Sequence, residues 1–99
     1  MEKSTPHCKL AIVHALVRRG SIRATASAFG GARELGINDL SGMGAVVLSL
    51  KSANFYKSMT THDDHKIWQD VYRPVTSVGQ VYLKLTVIDD LLIVSFKER

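Results

Sequence analysis

The sequence lacks the features of a secreted or membrane-embedded protein. Its 99 residues include one cysteine, Cys8, so no intramolecular disulfide can form, as is typical of a reducing compartment. Apolar runs such as "LLIV" at 91–94 are far shorter than the roughly 20 residues of a membrane-spanning helix. The opening "MEKSTPHCKL" leads into no apolar stretch with a cleavage site. We therefore expect a cytoplasmic protein.

Several catalytic and cofactor-binding motifs are also missing. Gly30-Gly31 has no following Lys-Ser/Thr pair, as a phosphate-binding loop requires, and a helix break or close packing is the better interpretation. Cys8 lies beside His7, but adjacent side chains on a helix do not face each other, so the two do not form a nucleophile and its base. Neither nucleotide-dependent nor thiol chemistry is indicated.

The sequence does carry an excess of basic residues. Lysine and arginine total 13 against nine acidic residues, which gives a net charge of +4 at pH 7. A hydrophobic fraction of 45% is ordinary for a folded protein, and the length predicts one domain over residues 1–99. A basic surface either aids solubility or binds a polyanion. Basic residues recur beside aromatic ones from Lys57 onward, which favours nucleic acid.

The first half of the chain predicts three helices. The first has Ser4 or Thr5 as its cap, Pro6 in its first turn and Gly20 at its end. His14 lies near the apolar stripe of this helix, where a hydrogen-bonded, partly buried histidine is expected.

After a short extended link at 21–25, Thr25 caps a second helix that runs to about Leu35 and contains Gly30-Gly31. A third helix begins near Asp39 or Ser41, and its apolar residues have the spacing of a core.

The second half predicts antiparallel strands. Residues 54–61 and 66–74 are rich in aromatic and β-branched residues and predict a hairpin with a loop of four to six residues. Residues 80–88 alternate strictly, with Tyr82 and Lys84 on the polar side, and a turn at Asp89-Asp90 leads into the last strand. Helices followed by such strands predict an α+β fold, with the helices on one face of the sheet and the other face polar.

One hypothesis places a metal at the tip of that hairpin, where His62, Asp63, Asp64 and His65 follow one another. The ligand types suit a transition metal. The spacing does not, because the histidines are three residues apart in a loop with no cysteine and no third ligand nearby. A hairpin tip is the simpler interpretation, and a metal-dependent hydrolase remains an alternative.

A second hypothesis is RNA binding or cleavage by basic and aromatic residues on the strands. Lysine and arginine hold phosphates, tyrosine stacks on bases or moves a proton, and RNA carries its own nucleophile in the 2′-hydroxyl. Packing tyrosines and solvated lysines are the alternative, as is a module that binds RNA or DNA without cutting it. The residues concerned are Tyr56, Lys57, Gln69, Tyr72, Arg73, Tyr82, Lys84 and Lys97.

The stretches "FYKSMTTHDDHKIWQDVYRP" and "GQVYLKLTVIDDLLIVSFKER" closely resemble the motility quorum-sensing regulator family, MqsR, and the similarity extends over nearly the whole chain. These are toxins of type II toxin–antitoxin modules. The resemblance implies a RelE-like α+β fold and a ribosome-independent mRNA endonuclease that needs no metal or other cofactor and cuts at short GC-containing sites such as GCU.

The resemblance also implies particular residues and a partner. Lys57 of "FYKSM", Gln69 of "IWQD" and Tyr82 of "QVYLK" correspond to the family's functional residues. By residue type alone, Tyr56, Arg73, Lys84 and Lys97 are further candidate RNA contacts, with plain surface charge as the alternative for the three cations. The implied partner is an MqsA-like antitoxin, which binds zinc and carries a helix-turn-helix domain for DNA. Such modules repress their own operon and are linked to growth arrest, biofilm formation and persistence.

Overall fold

The computed structural model describes all residues, Met1–Arg99, as three helices and seven strands. The helices are α1 (Leu10–Arg18), α2 (Ala26–Glu34) and α3 (Leu40–Leu48), and a short 3-10 turn covers Ser52–Asn54. The strands are β1 (Glu2–Lys3), β2 (Ile22–Ala24), β3 (Phe55–Thr60), β4 (Trp68–Tyr72), β5 (Val75–Thr76), β6 (Gly79–Ile88) and β7 (Asp90–Glu98). No helix has the length and apolar character needed to cross a bilayer.

The strands form one twisted layer in the order β1-β3-β4-β6-β7-β2, and β5 pairs with the start of β6. Only β2 and β7 are parallel; all other neighbours are antiparallel. Buried side chains of the three helices join those of β6 and β7 in one hydrophobic core. The helices therefore cover one face of the sheet, and the predicted α+β fold is confirmed.

The predicted start of α1 is wrong. Lys9 occupies the cap position without a side-chain hydrogen bond, and Ser4, Thr5 and Pro6 precede the helix. The sheet holds this segment instead, because β1 pairs with β3 and the carboxylate of Asp70 accepts hydrogen bonds from the amides of His7 and Cys8, each at 3.0 Å. The predicted end is confirmed.

Helix α2 begins as predicted, with the hydroxyl oxygen of Thr25 accepting a hydrogen bond from the amide of Ala28 at 3.0 Å. Gly30 and Gly31 both lie inside it and play different parts. A Cβ on Gly31 would lie 1.8 Å from the carbonyl oxygen of Phe96, whereas a Cβ on Gly30 would meet nothing within 4 Å. Gly31 thus lets α2 approach the backbone of β7, as the close-packing interpretation expected.

Helix α3 is capped by Asp39, whose carboxylate accepts from the amide of Gly42 at 2.7 Å, and it buries Met43 and Val47 in the core. Its carbonyl at Val47 accepts a hydrogen bond from Nε2 of His14 at 3.0 Å. The expected role of His14 as a hydrogen-bonded, partly buried residue is confirmed.

The β3–β4 hairpin is confirmed, with a loop at 61–67 that is one residue longer than predicted. Two hydrogen bonds lie within this loop: the Thr61 hydroxyl donates to the carbonyl of Asp64, and the Asp64 carboxylate accepts from the amide of Lys66. Strand β6 alternates as predicted and turns into β7 at Asp89, whose φ of 67° is left-handed.

Candidate active site on the open face of the sheet

The face of the sheet that the helices leave uncovered, called here the open face, is organised around one row of paired residues. Lys57 on β3 lies opposite Val71 on β4, Val71 opposite Lys84 on β6, and Lys84 opposite Ser95 on β7. Val71 is fully buried yet lies outside the helix-side core. It therefore forms an apolar floor between the two lysines.

A β-bulge in β3 places the side chain of Lys57 on the open face. Phe55 pairs with Tyr72 and Lys57 with Val71, so Tyr56 is an extra residue without a partner. The bulge breaks the two-residue period, so that Phe55 packs edge-to-face on Tyr72 in the core while Lys57 points to the open face. Alternation alone would have placed Phe55 and Lys57 on the same side.

Aromatic rings lie against several of the cations of this face. The Arg73 guanidinium carbon is 3.8 Å from the centroid of the Tyr56 ring, and Nζ of Lys57 is 5.4 Å from it. On the other side, Nζ of Lys97 is 5.1 Å from the centroid of Tyr82, its partner across β6 and β7. Together with Lys84 these residues form what we call the basic patch: Tyr56, Lys57, Arg73, Tyr82, Lys84 and Lys97.

Lys84, at the centre of the patch, has a lowered pKa. Partial burial lowers the pKa of its ammonium, and the positive charges of Lys97 and Lys57 lower it further. It forms no ion pair. Both effects disfavour the charged form, because a buried charge loses hydration and like charges repel.

Gln69 shares the open face but not the patch. On β4, Gln69 lies two residues before Val71 and pairs with Met59 of β3. On β6, Tyr82 lies two residues before Lys84, which pairs with Val71. Because β4 and β6 are antiparallel, Gln69 and Tyr82 lie on opposite sides of the Val71–Lys84 pair. At about 3.4 Å per residue, Gln69 and Tyr82 are separated by roughly 13 Å along the strands. The two side chains therefore lie in different parts of the open face.

The N-terminal strand adds a residue that the sequence analysis missed. Glu2 pairs with Met59 on the open face, and its carboxylate lies 3.2 Å from Nζ of Lys57. A two-residue strand is too short to show a period, so only the distant pairing of β1 with β3 reveals this contact.

The hairpin tip does not assemble a metal site. His62, Asp63 and His65 are exposed, and Asp64 is engaged in the turn through its backbone and carboxylate. Nowhere in Met1–Arg99 do three or more histidine, cysteine or acidic side chains converge. Cys8 is equally unsuited to nucleophilic chemistry, because burial and then the charge of Asp70 raise the pKa of its thiol.

The patch is an open surface rather than a cavity. The largest cavity, about 570 Å³, lies between α3 and the β5–β6 hairpin and contains none of the patch residues. An extended face with several cations and two tyrosines suits a polymer that lies across the strands better than an enclosed small molecule.

Comparison with known proteins gives this surface a context. Residues 5–98 match the family described as the motility quorum-sensing regulator, toxin of MqsA. The chain belongs to this MqsR toxin family. The mRNA interferase toxin MqsR of Escherichia coli (strain K12) is 59% identical to it over 99 residues, which cover 100% of both chains. The resemblance in the strand motifs is therefore confirmed across the full length.

Proposed function

We propose that this protein is the toxin of a type II toxin–antitoxin module and an mRNA endonuclease of the cytoplasm. It cuts single-stranded RNA without the ribosome and without a metal ion, at short GC-containing sites such as GCU, and so halts translation and growth. The observation that carries the proposal is the basic patch, in which Lys57, Lys84 and Lys97 share an uncovered sheet face with Tyr82. Membership of a family that includes an mRNA interferase supports it.

The chemistry that fits this patch uses the substrate's own 2′-hydroxyl. That oxygen attacks the adjacent phosphorus, the bond to the 5′-oxygen of the next nucleotide breaks, and a 2′,3′-cyclic phosphate remains. Lys57 neutralises the charge that grows on the phosphorane oxygens, since a fixed cation is most valuable where charge develops. The phenol of Tyr82 supplies the proton that the departing 5′-oxygen needs.

The remaining residues bind rather than react. Arg73 stacked on Tyr56 offers a phosphate contact beside an aromatic face on which a base stacks. Gln69, roughly 13 Å from Tyr82 by the strand spacing, holds a base or a phosphate away from the scissile bond. Its amide both donates and accepts, as selection of particular bases requires.

The proposed partner is an MqsA-like antitoxin that binds zinc and carries a helix-turn-helix domain. In this arrangement any zinc belongs to the partner, and contact with DNA comes only through the complex. The description of the family as toxin of MqsA supports the pairing.

The proposal is tested with purified protein and an mRNA transcript that contains GCU sites, with and without EDTA. Cleavage is expected to persist in EDTA. Lys57→Ala should lower kcat by about 10²- to 10³-fold, as loss of a transition-state contact does. Tyr82→Phe should also lower kcat, and Gln69→Ala should mainly raise KM.

The matched control is the double variant His62→Ala/His65→Ala at the exposed hairpin tip, which should cleave like the wild type. Cleavage abolished by EDTA and by this double variant would instead support the metal-dependent hydrolase. RNA binding with no cleavage by the wild type would identify a non-catalytic module. Full activity in all three single variants would refute the assigned residues.

A further inference from the structure

The proton of the attacking 2′-hydroxyl needs an acceptor, and the proposed function leaves that acceptor unassigned. Lys57 is engaged by Glu2, and Tyr82 serves as the acid. The patch contains no aspartate or histidine, and the Glu2 carboxylate beside it is paired with Lys57. The remaining amines of the patch are those of Lys84 on β6 and Lys97 on β7.

We propose that Lys84 is the catalytic base of this nuclease, its neutral amine accepting the proton of the attacking 2′-hydroxyl. The inference rests on the proposed function and assigns one further residue within it. Lys84 stands in the row of paired residues that runs Lys57, Val71, Lys84 and Ser95. Of the two lysines in the row, it is the one that lies on the same strand as Tyr82.

The spacing of Lys84 and Tyr82 suits their two roles. Both point to the open face of β6, two residues apart, which corresponds to about 7 Å along the strand. A phosphate group fits between them, with its 2′-oxygen toward one side chain and its 5′-oxygen toward the other. Attack and departure occur on opposite sides of the phosphorus, so the base and the acid must flank it in this way.

The surroundings of Lys84 also favour its amine form. Lys57 faces it from β3, Lys97 from β7 and Tyr82 from its own strand, while β4 presents the uncharged Val71. Arg73 stacks on Tyr56. With no carboxylate to stabilise its charge, the pKa of Lys84 is lowered by burial and by Lys97 and Lys57. A larger share of Lys84 is then neutral at physiological pH than of an ordinary lysine.

The step balances without an added reactant. As the 2′-oxygen bonds to phosphorus, its proton moves to the amine of Lys84, which becomes an ammonium. As the bond from phosphorus to the 5′-oxygen breaks, the phenol of Tyr82 gives its proton to that oxygen. The Lys84 ammonium then returns a proton to the Tyr82 phenolate through water. Both residues finish as they began, and no atom changes oxidation state.

The decisive variant is Lys84→Arg, which keeps the positive charge but does not lose a proton at working pH. We expect its cleavage rate to fall by about 10²- to 10⁴-fold, the usual contribution of a general base. Its affinity for an RNA in which the attacking hydroxyl is replaced by hydrogen should stay close to that of the wild type. Lys9→Arg, an exposed lysine on the helix side of the sheet, is the matched control and should cleave normally.

A pH profile gives a second readout that a structural role would not move. The wild-type rate should rise with pH through the pKa of Lys84. In Lys97→Met, removal of one positive neighbour raises that pKa, so the rising limb should shift to higher pH, whatever the loss in binding. Circular dichroism and the affinity measurement confirm that each variant is folded.

The outcomes separate this inference from the proposed function. Near-normal cleavage by Lys84→Arg, with an unchanged pH profile, would overturn Lys84 as the base and leave the nuclease intact. A rising limb that does not move in Lys97→Met would also overturn it. Absence of cleavage by the wild type would overturn the nuclease and the assignment of Lys84 together.

Discussion

At the scale of single residues, Lys57 is engaged before any substrate arrives. Its ammonium lies 3.2 Å from the carboxylate of Glu2, and the side chain of Glu2 is 58% exposed. An exposed ion pair contributes only about 0.2–1 kcal/mol, so an RNA phosphate can displace it. Under the proposed function, Glu2 therefore competes weakly with the RNA for Lys57.

This competition leads to a prediction for Glu2→Gln. Without the carboxylate, RNA should bind more tightly by about 1.5- to fivefold, which is the fold-change that corresponds to an exposed ion pair. Fluorescence anisotropy with an uncleavable RNA measures it. Glu34→Gln on α2 changes the net charge equally but lies on the helix side of the sheet, and it should bind RNA less tightly than Glu2→Gln. Equal gains in the two variants would mean that net charge alone is responsible.

Residue-scale features differ in how far the sequence reveals them. The caps at Thr25 and Asp39 depend on residues close in sequence, and they were predictable. The partly buried, hydrogen-bonded position of His14 was predictable from the apolar stripe of α1. The side taken by Lys57 depends on a bulge, which no period in the sequence records. The contact of Lys57 with Glu2 joins residues 55 positions apart in the sequence.

At the scale of elements, α2 lies directly against the backbone of β7 at Gly31. The absence of a side chain at Gly31 allows the helix to lie directly on the carbonyl of Phe96. Phe96 precedes Lys97, so the position of α2 supports the strand that carries one edge of the basic patch. Packing on the helix side is thereby linked to the site on the open face.

The two adjacent glycines of α2 provide a matched pair of variants. Gly31→Ala should destabilise the protein by about 1–3 kcal/mol, because its Cβ collides with backbone and the helix must shift. Gly30→Ala meets nothing and should stabilise it by about 0.5–1 kcal/mol, since alanine loses less conformational entropy in a helix. Urea unfolding measures both. Similar changes in the two variants would contradict the close approach.

The elements with a sustained pattern were the predictable ones. Strand β6 shows its alternation over residues 80–88, and the hairpin of β3 and β4 is marked by its aromatic and β-branched flanks. The start of α1 was mispredicted because the Ser4, Thr5 and Pro6 signals are real locally but lose to the sheet, which binds the same segment through β1 and Asp70. Strands β1, β2 and β5 have two or three residues, too few to show any period.

At the scale of the whole molecule, the sheet separates stability from chemistry. One face carries the helices and the hydrophobic core, and the other carries the cations and tyrosines that bind and cut RNA under the proposed function. A net charge of +4 indicated a polyanion partner, but it did not indicate that four cations share one face. That concentration follows from the order of the strands, which brings β3, β4, β6 and β7 side by side.

The central claim is that RNA supplies its own nucleophile on this face. It is tested most directly with two RNA oligonucleotides that differ only in the 2′-position of the nucleotide before the cut, ribose in one and deoxyribose in the other. In EDTA, the ribose form should be cut once and leave a 2′,3′-cyclic phosphate, identified by mass spectrometry. The deoxyribose form should bind and remain intact. Cleavage of the deoxyribose form at a comparable rate, or a product without the cyclic phosphate, would contradict the account.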